Sequence, residues 1–574
     1  MKKIDSITLE ILWNRLLGIT DEAGIALIKS CFSSIVRDSH DFSIALFDHK
    51  KRLLAQCGTS TPGQVGCMPP TIENFCRVFP PEKLRPGDVV GTNDPWQAST
   101  HLNDISVASP VFYKKKLVGF AVCTVHHIDI GGRHATLESE SIFEEGLWIP
   151  VCKFIQAGIP NELLFEMIRH NVRVPNEVIG DIQAQFAALH LSATRINELL
   201  EEYGLRNLGE LGDEIISRSE VAMRREIRKI PDGTYRHSFL LDSIDGEHPK
   251  LCIAVSIIGD QVVMDFEGTS KQIHRAVNSI FNMSKSFCLY AIKSILDPFI
   301  PNNEGCFRPI TVKAAEGSLV NPRWPAPVWG RTMIIHRIPE LIYGALSSVL
   351  PDKVIAESGS APLGSIGITS VKQNNESCLS VSFFFGGLGG RTSKDGICCL
   401  SFPGNVANTP IELIECDVPI LWEKRELLCD SGGAGKFRGG VGEEFSFSVP
   451  SGKIGPKEGE PVFVALRGGR FERPSHGILG GMNSNLAEIT VNDKPEGLKR
   501  RFALRPGDVL KYKVPGGGGY QNPLNREPRL VEDDVRNGFV SIEKAEALYG
   551  VAINKETMRV DDKGTEMLRR KMNS

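Results

Sequence analysis

The sequence predicts an α+β protein of several subdomains, with mixed sheets, a central helical segment and a glycine-rich, β-rich C-terminal half. Three observations lead to this prediction. The chain has 574 residues, which is more than one ordinary hydrophobic core accommodates. Residues 161–229 keep the apolar period of helices almost without interruption, whereas the flanking regions alternate between helical and strand patterns. Glycine runs are concentrated between residues 386 and 520, where they allow turns of unusual backbone geometry.

In the first 160 residues, helical and strand patterns alternate. Residues 5–35 carry apolar side chains at helical spacing, which predicts one long helix or two short ones. Two apolar runs, at 42–47 and 53–55, are joined by a polar turn at 48–51 and predict a β-hairpin. The elements that follow are a short helix and three strands, expected at 72–79, 89–91, 105–112 and 117–125.

The central helical pattern has three candidate breaks, at Pro175, Gly180 and Gly204. Beyond Gly233 the period changes to that of strands. Strands are expected at 235–241, 251–258 and 261–266, and helices at 279–296 and 333–347. The chain is then glycine-rich and strand-like to about residue 520, and from about residue 530 it is helical and charged. That last segment is predicted to pack on the body of the protein or on a partner.

These patterns divide the chain into five predicted regions. They are an N-terminal α/β region with a candidate metal site, a helical segment, an α/β region with a substrate-facing loop, a glycine-rich β-rich region and a helical tail, with expected bounds of 1–160, 161–230, 231–350, 351–525 and 526–574. No internal repeat is visible, so a solenoid is not expected.

Composition and charge exclude several classes of protein. The 66 basic and 69 acidic side chains nearly balance, so charge gives no argument for binding nucleic acid or an anionic membrane surface. No run of about 20 apolar residues is present, and the N-terminus lacks the apolar stretch and cleavage site of a signal peptide. The 14 cysteines include no C-x-x-C pair, which indicates reduced thiols. A cytoplasmic protein without a membrane span is therefore expected.

Two His-x-x-Asp units, His101 with Asp104 and His126 with Asp129, lie 25 residues apart. Imidazole and carboxylate are ligands that Zn²⁺, Mn²⁺ and Fe²⁺ prefer. The apolar run 117–125 between the units is predicted to be a buried strand, so the histidines are expected at strand ends or turns, where functional groups are common. Because residues three apart in a strand point to opposite faces, His101 and Asp104 converge only if the residues between them form a turn.

The spacing leaves two points open. His126 and His127 are adjacent at a strand end, so only one of them faces the site, and periodicity does not decide which. The two units are also consistent with hydrogen-bonded structural groups that hold no ion. If an ion binds, Asp41 at the entry to a strand is a candidate fourth ligand, and Asp94 and Asp129 are expected to accept hydrogen bonds that orient the imidazoles.

Three other segments carry candidate chemistry. Residues 432–436 are similar to a phosphate loop, but the first glycine has the wrong spacing and Phe437 stands where Ser or Thr binds magnesium, which favours turns bracketing a strand. The loop 301–309 is either a substrate-facing loop or a plain connection, and its candidate residues are Asn303, Glu304 and Arg308. Arg331 is interpreted equally well as a clamp for a carboxylate or phosphate or as one half of a structural salt bridge.

Several blocks of the sequence, taken in order, resemble the hydantoinase B/oxoprolinase family, and the resemblance covers nearly the whole chain. The blocks lie at 37–47, 92–107, 125–132, 278–283, 301–309, 410–415, 430–442, 516–522 and 535–551. The metal ligands of the family's motifs fall on Asp41, His101, Asp104 and His126. The resemblance therefore implies that His126, and not His127, faces the metal.

The sequence departs from the family pattern at two places. Ala98-Ser99 stands where the family usually has a glycine pair, and Gln64-Val65-Gly66 stands where it often has His-Leu-Gly. Both changes leave the implied metal ligands in place, so they bear on the shape or selectivity of the substrate site instead.

The resemblance implies one subunit of an ATP-dependent enzyme that hydrolyses a small cyclic amide, of the hydantoinase or 5-oxoprolinase type. A hydantoinase A-type partner subunit with an actin-like ATPase fold is expected to bind ATP and to phosphorylate the carbonyl oxygen of the ring. A divalent metal on this subunit, Zn or Mn, is expected to lower the pKa of a water that attacks the activated carbon. Asp129 or Glu304 is the candidate proton shuttle. The candidate substrate contacts are Asn303, Arg308 and Arg331.

Two further hypotheses remain open. Subunits of ATP-dependent ketone carboxylases, of the acetone or acetophenone carboxylase type, are similar to this family and reuse the metal site to join an activated enol to carbon dioxide. Acetone-type subunits are generally longer than this chain, which favours the hydrolase. A catalytically silent scaffold subunit would have lost metal ligands, and all four implied ligands are present.

Overall fold

An antiparallel sheet of seven strands dominates the N-terminal part of the protein. The computed structural model describes residues 5–98, 100–133 and 136–573, and its elements confirm the predicted α+β class with mixed sheets. The strands of this first sheet are β1 Phe42–Asp48, β2 Leu53–Gln56, β3 Val89–Thr92, β4 Asp104–Tyr113, β5 Lys116–His126, β6 Cys152–Gln156 and β7 Ile159–Pro160. Their order across the sheet is β2-β1-β5-β4-β3-β6-β7.

Helices cover both faces of this sheet, so its central strands are buried on both sides. The helices are α1 Ser6–Ser30, α2 Ser34–Arg37, α3 Pro62–Val78, α4 Glu162–Asn171, α5 Pro175–Glu202 and α6 Gly209–Ile227. Side chains alternate along β1: Ile44 and Leu46 belong to the core that includes α1 and α5. Their neighbours Ala45 and Phe47 belong to the core that includes α3. The first sheet is therefore the middle layer of three.

The start of α3 corrects the sequence analysis, which predicted a short helix at 72–79. The helix begins at Pro62 and contains Pro69 and Pro70, which locally favour a break. Packing overrides this preference, because the first two turns place Val65 and Met68 in the core beneath the first sheet.

The three helices between residues 162 and 227 confirm the predicted helical segment, with one correction. Pro175 opens α5 and Gly204 lies just beyond its end, as expected. Gly180 does not break the helix, although it was a candidate. A Cβ at this position would collide with the ring of Phe32, so glycine lets α5 approach that ring closely.

A mixed four-stranded sheet and a second group of helices form the middle of the chain. The strands are β8 Gly233–Leu240, β9 Lys250–Ile258, β10 Gln261–Asp265 and β11 Ile310–Lys313. Their order is β11-β10-β9-β8, and only β10 and β11 pair in parallel within this described sheet. The helices are α7 Phe281–Leu296, α8 Glu304–Phe307, α9 Thr332–Ile335 and α10 Ile338–Leu346. Because α7 packs on α3 while α10 packs on β8 and β9, this part shares a core with the first sheet.

Two antiparallel sheets form most of the C-terminal half. Their strands are β12 Gly364–Val371, β13 Ser377–Phe384, β14 Leu421–Leu427, β15 Glu443–Ser448, β16 Val462–Arg467, β17 Glu488–Val491, β18 Lys494–Pro495, β19 Arg501–Leu504 and β20 Val509–Lys513, with helix α11 Ile411–Asp417 before β14. One sheet has the order β13-β12-β16-β19 and the other the order β14-β15-β20-β17-β18. Aromatic rings from both sheets, among them Phe384, Phe445 and Tyr512, pack together in a second core.

The glycine runs of this half are neighbouring extended segments, whereas the sequence analysis expected turns of unusual geometry. Gly440 N–H donates to Leu388 O at 2.8 Å, and Gly517 N–H donates to Gly440 O at 2.9 Å. The glycines at 386–390, 432–442 and 516–519 are all described, and none of them has a positive φ. A Cβ on Gly387 would collide with Gly440 O, so glycine is needed here for close approach of backbones.

The C-terminal segment is helical, as predicted, and it packs on the body of the protein. Its elements are α12 Pro528–Arg536, α13 Ile542–Tyr549, the short strands β21 Ile553–Asn554 and β22 Arg559–Val560, and α14 Asp562–Asn573. A small core that includes Val531, Tyr549 and Ala434 joins it to the glycine-rich half. Arg526 adds an ion pair with Asp395 at 2.7 Å. Among the described helices, none combines the length and the apolar character that crossing a membrane requires.

Candidate metal centre

Three side chains of the first sheet, His101, Asp104 and His126, come together at one end of its central strand pair. β4 begins at Asp104 and β5 ends at His126, and these two residues are direct partners in the antiparallel register. His101 precedes β4 by a tight turn, closed by a hydrogen bond from Asp104 N–H to His101 O at 3.0 Å. The turn that the spacing required is therefore present, and it brings His101 back to Asp104.

The three facing ligand atoms form an equilateral triangle. His101 Nε2, Asp104 Oδ1 and His126 Nδ1 are 3.0 Å apart in each of the three pairs. Ligands at right angles around an ion, each about 2.1 Å from it, lie about 3.0 Å apart, whereas tetrahedral ligands at that distance lie about 3.4 Å apart. The triangle therefore fits one face of an octahedral site better than three corners of a tetrahedral one.

Burial and neighbouring charge set the protonation states of this triangle. Burial, together with the charge of Arg331, holds the pKa of His101 well below its ordinary value, so the ring is neutral. Burial alone would raise the pKa of Asp104, but interactions with His101 and Arg331 outweigh it and hold that pKa well below its usual range. A neutral imidazole and an ionised carboxylate are the forms that coordinate a divalent ion. The residues present therefore fit the ion that the resemblance implies.

Asp41, the candidate fourth ligand, lies beside this triangle. Its Oδ2 is 4.0 Å from His126 Nδ1, and its side chain is 15% exposed. Gln64, which marks one departure from the family pattern, donates from Nε2 to Asp41 Oδ1 at 3.3 Å. Gln64, at a position where the sequence departs from the family pattern, therefore contacts the candidate ligand directly. Ser99, in the other departure, lies outside the described residues. That Asp41 joins the ligand set stays a prediction.

The adjacent histidine, His127, faces the helix α5 instead of the triangle. Its Nε2 lies 3.2 Å from Gln185 Oε1, and its backbone N–H donates to Asn103 O at 2.8 Å. Neighbouring residues at a strand end point to opposite faces, which explains the separation of the two rings. The structure thus brings His126 to the triangle and decides the point that periodicity left open.

Arg331 binds the carboxylate of Asp104 through the oxygen that faces away from the histidines. Its Nη2 lies 3.1 Å from Asp104 Oδ2, and its Nη1 donates to Trp329 O at 3.2 Å. Thr100 Oγ1 also hydrogen-bonds to Asp104 Oδ2. Asp104 therefore presents Oδ1 to the triangle while Oδ2 is held in place. The salt-bridge interpretation of Arg331 is confirmed, and its contact with substrate stays a prediction.

The loop that carries Arg331 is held by a buried carboxyl group, Glu145. Glu145 Oε1 accepts hydrogen bonds from Val328 N–H and Trp329 N–H, both at 2.8 Å. The side chain is 2% exposed, and its Oε2 has no hydrogen-bond partner among the described residues. Burial raises the pKa of Glu145 to about 8, so the group is protonated near neutral pH.

Glu145→Gln is expected to remove one source of pH dependence in stability. The folded pKa of about 8 lies above the ordinary value of 4.5, so this group's stabilisation is complete below pH 4.5 and is lost as the pH rises towards 8. In that window the group lowers the free energy of unfolding by up to about 1.4 kcal/mol per pH unit. Urea unfolding of the natural protein and of Glu145→Gln between pH 4.5 and about 8 measures the effect. A difference between them that does not vary with pH would contradict it.

A small cavity of ≈ 50 Å³ lies next to the triangle. Its polar lining residues include Asp41, Gln64, His126, Arg331, His336 and Arg467, and its apolar ones include Met283, Phe287 and Phe383. The walls therefore come from the first sheet, from the helical region before β12 and from the C-terminal sheets. A cavity of this size holds about four waters or one small polar group.

Two acidic residues that were expected to orient the imidazoles have other partners. Asp129 is buried, forms an ion pair with Arg173 at 2.8 Å and accepts Gly131 N–H at 2.9 Å. Asp94 accepts Trp96 N–H at 2.9 Å. The expectation that Asp94 and Asp129 orient the imidazoles is therefore wrong, because each carboxylate satisfies the backbone of its own turn. A role of Asp129 as proton shuttle stays a prediction.

The loop expected to face the substrate lies in another part of the fold. Asn303 Nδ2 donates to Ser219 Oγ at 2.8 Å, and Arg308 pairs with Glu220 at 3.1 Å. Glu304 lines a separate cavity of ≈ 500 Å³, and burial raises the pKa of its carboxyl group. Asn303, Glu304 and Arg308 are all described, and none of them lines the cavity beside His126. Their roles in catalysis and substrate binding stay predictions.

Four residues of the site had no role assigned from sequence, namely Gln64, Glu145, His336 and Arg467. Arg467 ends the apolar strand β16, and a charged residue at the end of such a run is the one signal that could have identified it. Gln64 lies in the block where the sequence departs from the family's His-Leu-Gly, and Glu145 and His336 lie in segments without a recognisable motif. Their places in the site come from contacts between segments that are distant in sequence.

The chain matches the sequence profile of the hydantoinase B/oxoprolinase family over residues 5–523. A protein of Pseudomonas sp. (strain NS671), designated provisionally as the B component of a D-/L-hydantoinase, is 32% identical over 593 aligned positions that cover 99% of each chain. The crystal structure of the ATP-dependent caprolactamase from Pseudomonas jessenii is 28% identical, with a TM-score of 0.85 over 99% of this chain and 100% of that chain.

A nucleotide-free structure of acetone carboxylase also superposes on this protein, with a TM-score of 0.87 over 98% of this chain and 83% of that chain. At 19% identity this likeness shows a shared fold alone. The family profile spans the first sheet, the triangle of His101, Asp104 and His126, and both C-terminal sheets. The chain therefore belongs to the hydantoinase B/oxoprolinase family.

Proposed function

We propose that this protein is the metal-containing B-type component of an ATP-dependent enzyme that hydrolyses a small cyclic amide. The observation that carries the proposal is the triangle of His101 Nε2, Asp104 Oδ1 and His126 Nδ1, with sides of 3.0 Å, beside a small cavity. Similar chains are named as subunits of a hydantoinase and a caprolactamase, and both names denote enzymes of cyclic amides.

In this proposal the triangle holds Zn or Mn, which supplies Lewis-acid chemistry that makes water more acidic near neutral pH. Arg331 keeps Asp104 ionised and fixes its orientation through Oδ2. Asp41 forms the cavity wall next to His126 and is the residue placed to complete the ligand set. The surrounding walls are largely apolar, which strengthens each of these electrostatic interactions.

ATP is proposed to bind to a hydantoinase A-type partner subunit. A lactam carbonyl is a poor electrophile, and phosphorylation of its oxygen by that partner would remove the amide resonance. The run 432–436 in this chain is not available for phosphate, because Gly433 N–H donates to Gly517 O at 2.8 Å and Lys436 N–H donates to Gln521 O at 3.1 Å. A phosphate loop needs such N–H groups free to face the ligand.

A ketone carboxylase subunit is the second candidate. The fold shared with acetone carboxylase favours it. The same ion and cavity would then hold an activated enol and an activated form of carbon dioxide. The chain covers 83% of the acetone carboxylase chain and 100% of the caprolactamase chain, and the better match in length favours the amide hydrolase.

Reconstitution with a hydantoinase A-type subunit and ATP tests the proposal. Hydantoin, 5-oxoproline and caprolactam are assayed for ring opening, acetone with bicarbonate is assayed for carboxylation, and ADP release is measured throughout. ATP-dependent ring opening that a chelator abolishes is the expected result. Carboxylation without ring opening would establish the second candidate instead. Reactions that lack either of the two proteins are the controls.

A further inference from the structure

Arg467 is a buried cation that forms no ion pair with any described carboxylate. It ends β16, and its side chain is 6% exposed. Its Nε has no hydrogen-bond partner, and within the described part of the chain no carboxylate forms an ion pair with it. Burial of an unpaired charge is costly, so buried charges are normally paired or serve to bind a ligand. The structure supplies no pairing for Arg467, which points to a ligand.

The surroundings of Arg467 direct it towards the metal triangle. Its Cζ lies 5.0 Å from the centre of the Trp329 ring, and its side chain lines the same cavity as His126. Arg331 lines this cavity too, and its Nε likewise has no hydrogen-bond partner in the described structure. Burial and repulsion from Arg331 lower the pKa of Arg467 to about 9, so the Arg467 guanidinium is charged at neutral pH.

The charges that line the cavity leave room for an anion. The guanidiniums of Arg331 and Arg467 line the cavity with Asp41, and Asp104 pairs with Arg331, so the two carboxyl groups at most balance the two guanidiniums. A divalent ion on the triangle then leaves an excess of at least two positive charges. A dianion would neutralise this excess, and a neutral ligand would not.

His336 adds a hydrogen-bond donor at the wall of the cavity. Leu363 N–H donates to His336 Nδ1 at 3.0 Å, so the neutral ring carries its hydrogen on Nε2. Burial, with the charges of Arg467 and Arg331, holds the pKa of His336 well below its ordinary value and keeps the ring neutral. The cavity of ≈ 50 Å³ suits a tetrahedral oxyanion of about five heavy atoms.

We propose that Arg467, together with Arg331, binds the phosphoryl group of an O-phosphorylated cyclic amide next to the metal triangle. This inference rests on the proposed function, in which a partner subunit supplies the phosphorylated amide. A guanidinium is suited to the task because its planar fork donates two parallel hydrogen bonds to a phosphate. The Trp329 ring packs against the guanidinium of Arg467, with its centre 5.0 Å from Cζ. The substrate would thus be held through the phosphoryl group that the partner subunit transfers to it.

Binding of inorganic phosphate to the purified protein with its metal tests this inference. Arg467→Met is expected to weaken phosphate binding at least about tenfold, as measured by calorimetry. Arg500→Met is the matched control, because that guanidinium also lies over an aromatic ring, 3.9 Å from the centre of Phe471, but does not line this cavity. Equal phosphate affinity in the natural protein and in Arg467→Met would overturn the proposal.

Thermal unfolding without phosphate provides a second readout. If Arg467 were purely structural, its removal would lower Tm. A ligand-binding arginine that is buried without an ion pair destabilises the empty protein, so Arg467→Met is expected to raise Tm by about 1–3 °C. A lower Tm together with unchanged phosphate affinity would assign Arg467 to the fold alone. Metal content is measured for each variant, so that loss of the ion is not mistaken for loss of the phosphate site.

Two further experimental outcomes distinguish this inference from the proposed function. If ring opening is not observed but phosphate binding still depends on Arg467, the oxyanion site stands and the assignment of the reaction fails. If bicarbonate binds at Arg467 and phosphate does not, the site is selective for a carboxylate, and the phosphoryl proposal is overturned. In the reconstituted enzyme, Arg467→Met is expected to raise KM for the amide and to relieve inhibition by added phosphate.

Discussion

His126→Gln is expected to remove the divalent metal and to lower ATP-dependent turnover at least about thousandfold, which is about 4 kcal/mol of transition-state stabilisation. The reason is geometric, because His126 Nδ1 closes the triangle at 3.0 Å from both His101 Nε2 and Asp104 Oδ1. A glutamine amide is a much weaker ligand than imidazole for Zn or Mn. Metal analysis of the desalted protein and turnover with the partner subunit measure the two losses.

His127→Gln is the matched control, since it changes the next residue along the chain in the same way. The ring of His127 is buried, but it bonds to Gln185 and does not reach the triangle. This variant is expected to keep its metal, with a stability loss of about 1–2 kcal/mol from the altered hydrogen bond. Equal loss of metal from both variants would mean that the two rings are assigned to the wrong faces. Full metal content in His126→Gln would favour hydrogen-bonded structural groups without an ion.

Arg470→Met is expected to lower the free energy of unfolding by about 3–5 kcal/mol, because it leaves two buried carboxylates with one counter-charge between them. Arg470 Nη2 lies 2.8 Å from Glu340 Oε2, and its Nη1 lies 2.5 Å from Glu357 Oε2. Arg337 contacts the same two carboxylates. These four side chains tie α10 to the loop before β12 and to the loop after β16, so the loss acts on the whole fold.

Urea unfolding above pH 7, where Glu340 is mostly ionised in the natural protein, measures this effect, and Arg473→Met is its control. Arg473 is half-buried and has no ion pair among the described residues, so its replacement is expected to change stability by less than about 0.5 kcal/mol. Burial raises the pKa of Glu340 to about 7, so the loss in Arg470→Met is expected to shrink at acidic pH, where that carboxyl is protonated. A loss as small as that of the control would show that the buried network contributes little to stability.

The elements of the first sheet were predictable because their signals are local. The hairpin expected at 42–47 and 53–55 is present as Phe42–Asp48 and Leu53–Gln56. The turn between His101 and Asp104 was likewise predictable, because two residues three apart in an extended strand cannot face one point. These inferences depend only on the period of the backbone and on neighbouring residues.

The predictions from sequence were wrong where one residue type serves two physical purposes. Gly180 and the glycines at 386–390 were interpreted as breaks or turns, but the structure uses them for close approach of a ring and of neighbouring backbones. The sequence does not distinguish a glycine needed for positive φ from one needed for its missing Cβ. The start of α3 was misplaced for a related reason, since packing on the first sheet outweighed the local effect of Pro69 and Pro70.

Periodicity and motifs are properties of short segments, so the fold class, the family and the chemical types of the metal ligands follow from the chain alone. Which atoms meet depends on packing. Alternation along a strand shows that His126 and His127 oppose each other, but the packing of α5 decides which of them faces His101. Arg331 and Arg467 reach the same cavity from segments more than a hundred residues apart, and neither segment carries a local signal of the other. Their juxtaposition follows from the docking of whole sheets and helices, which depends on buried surfaces contributed by the entire chain.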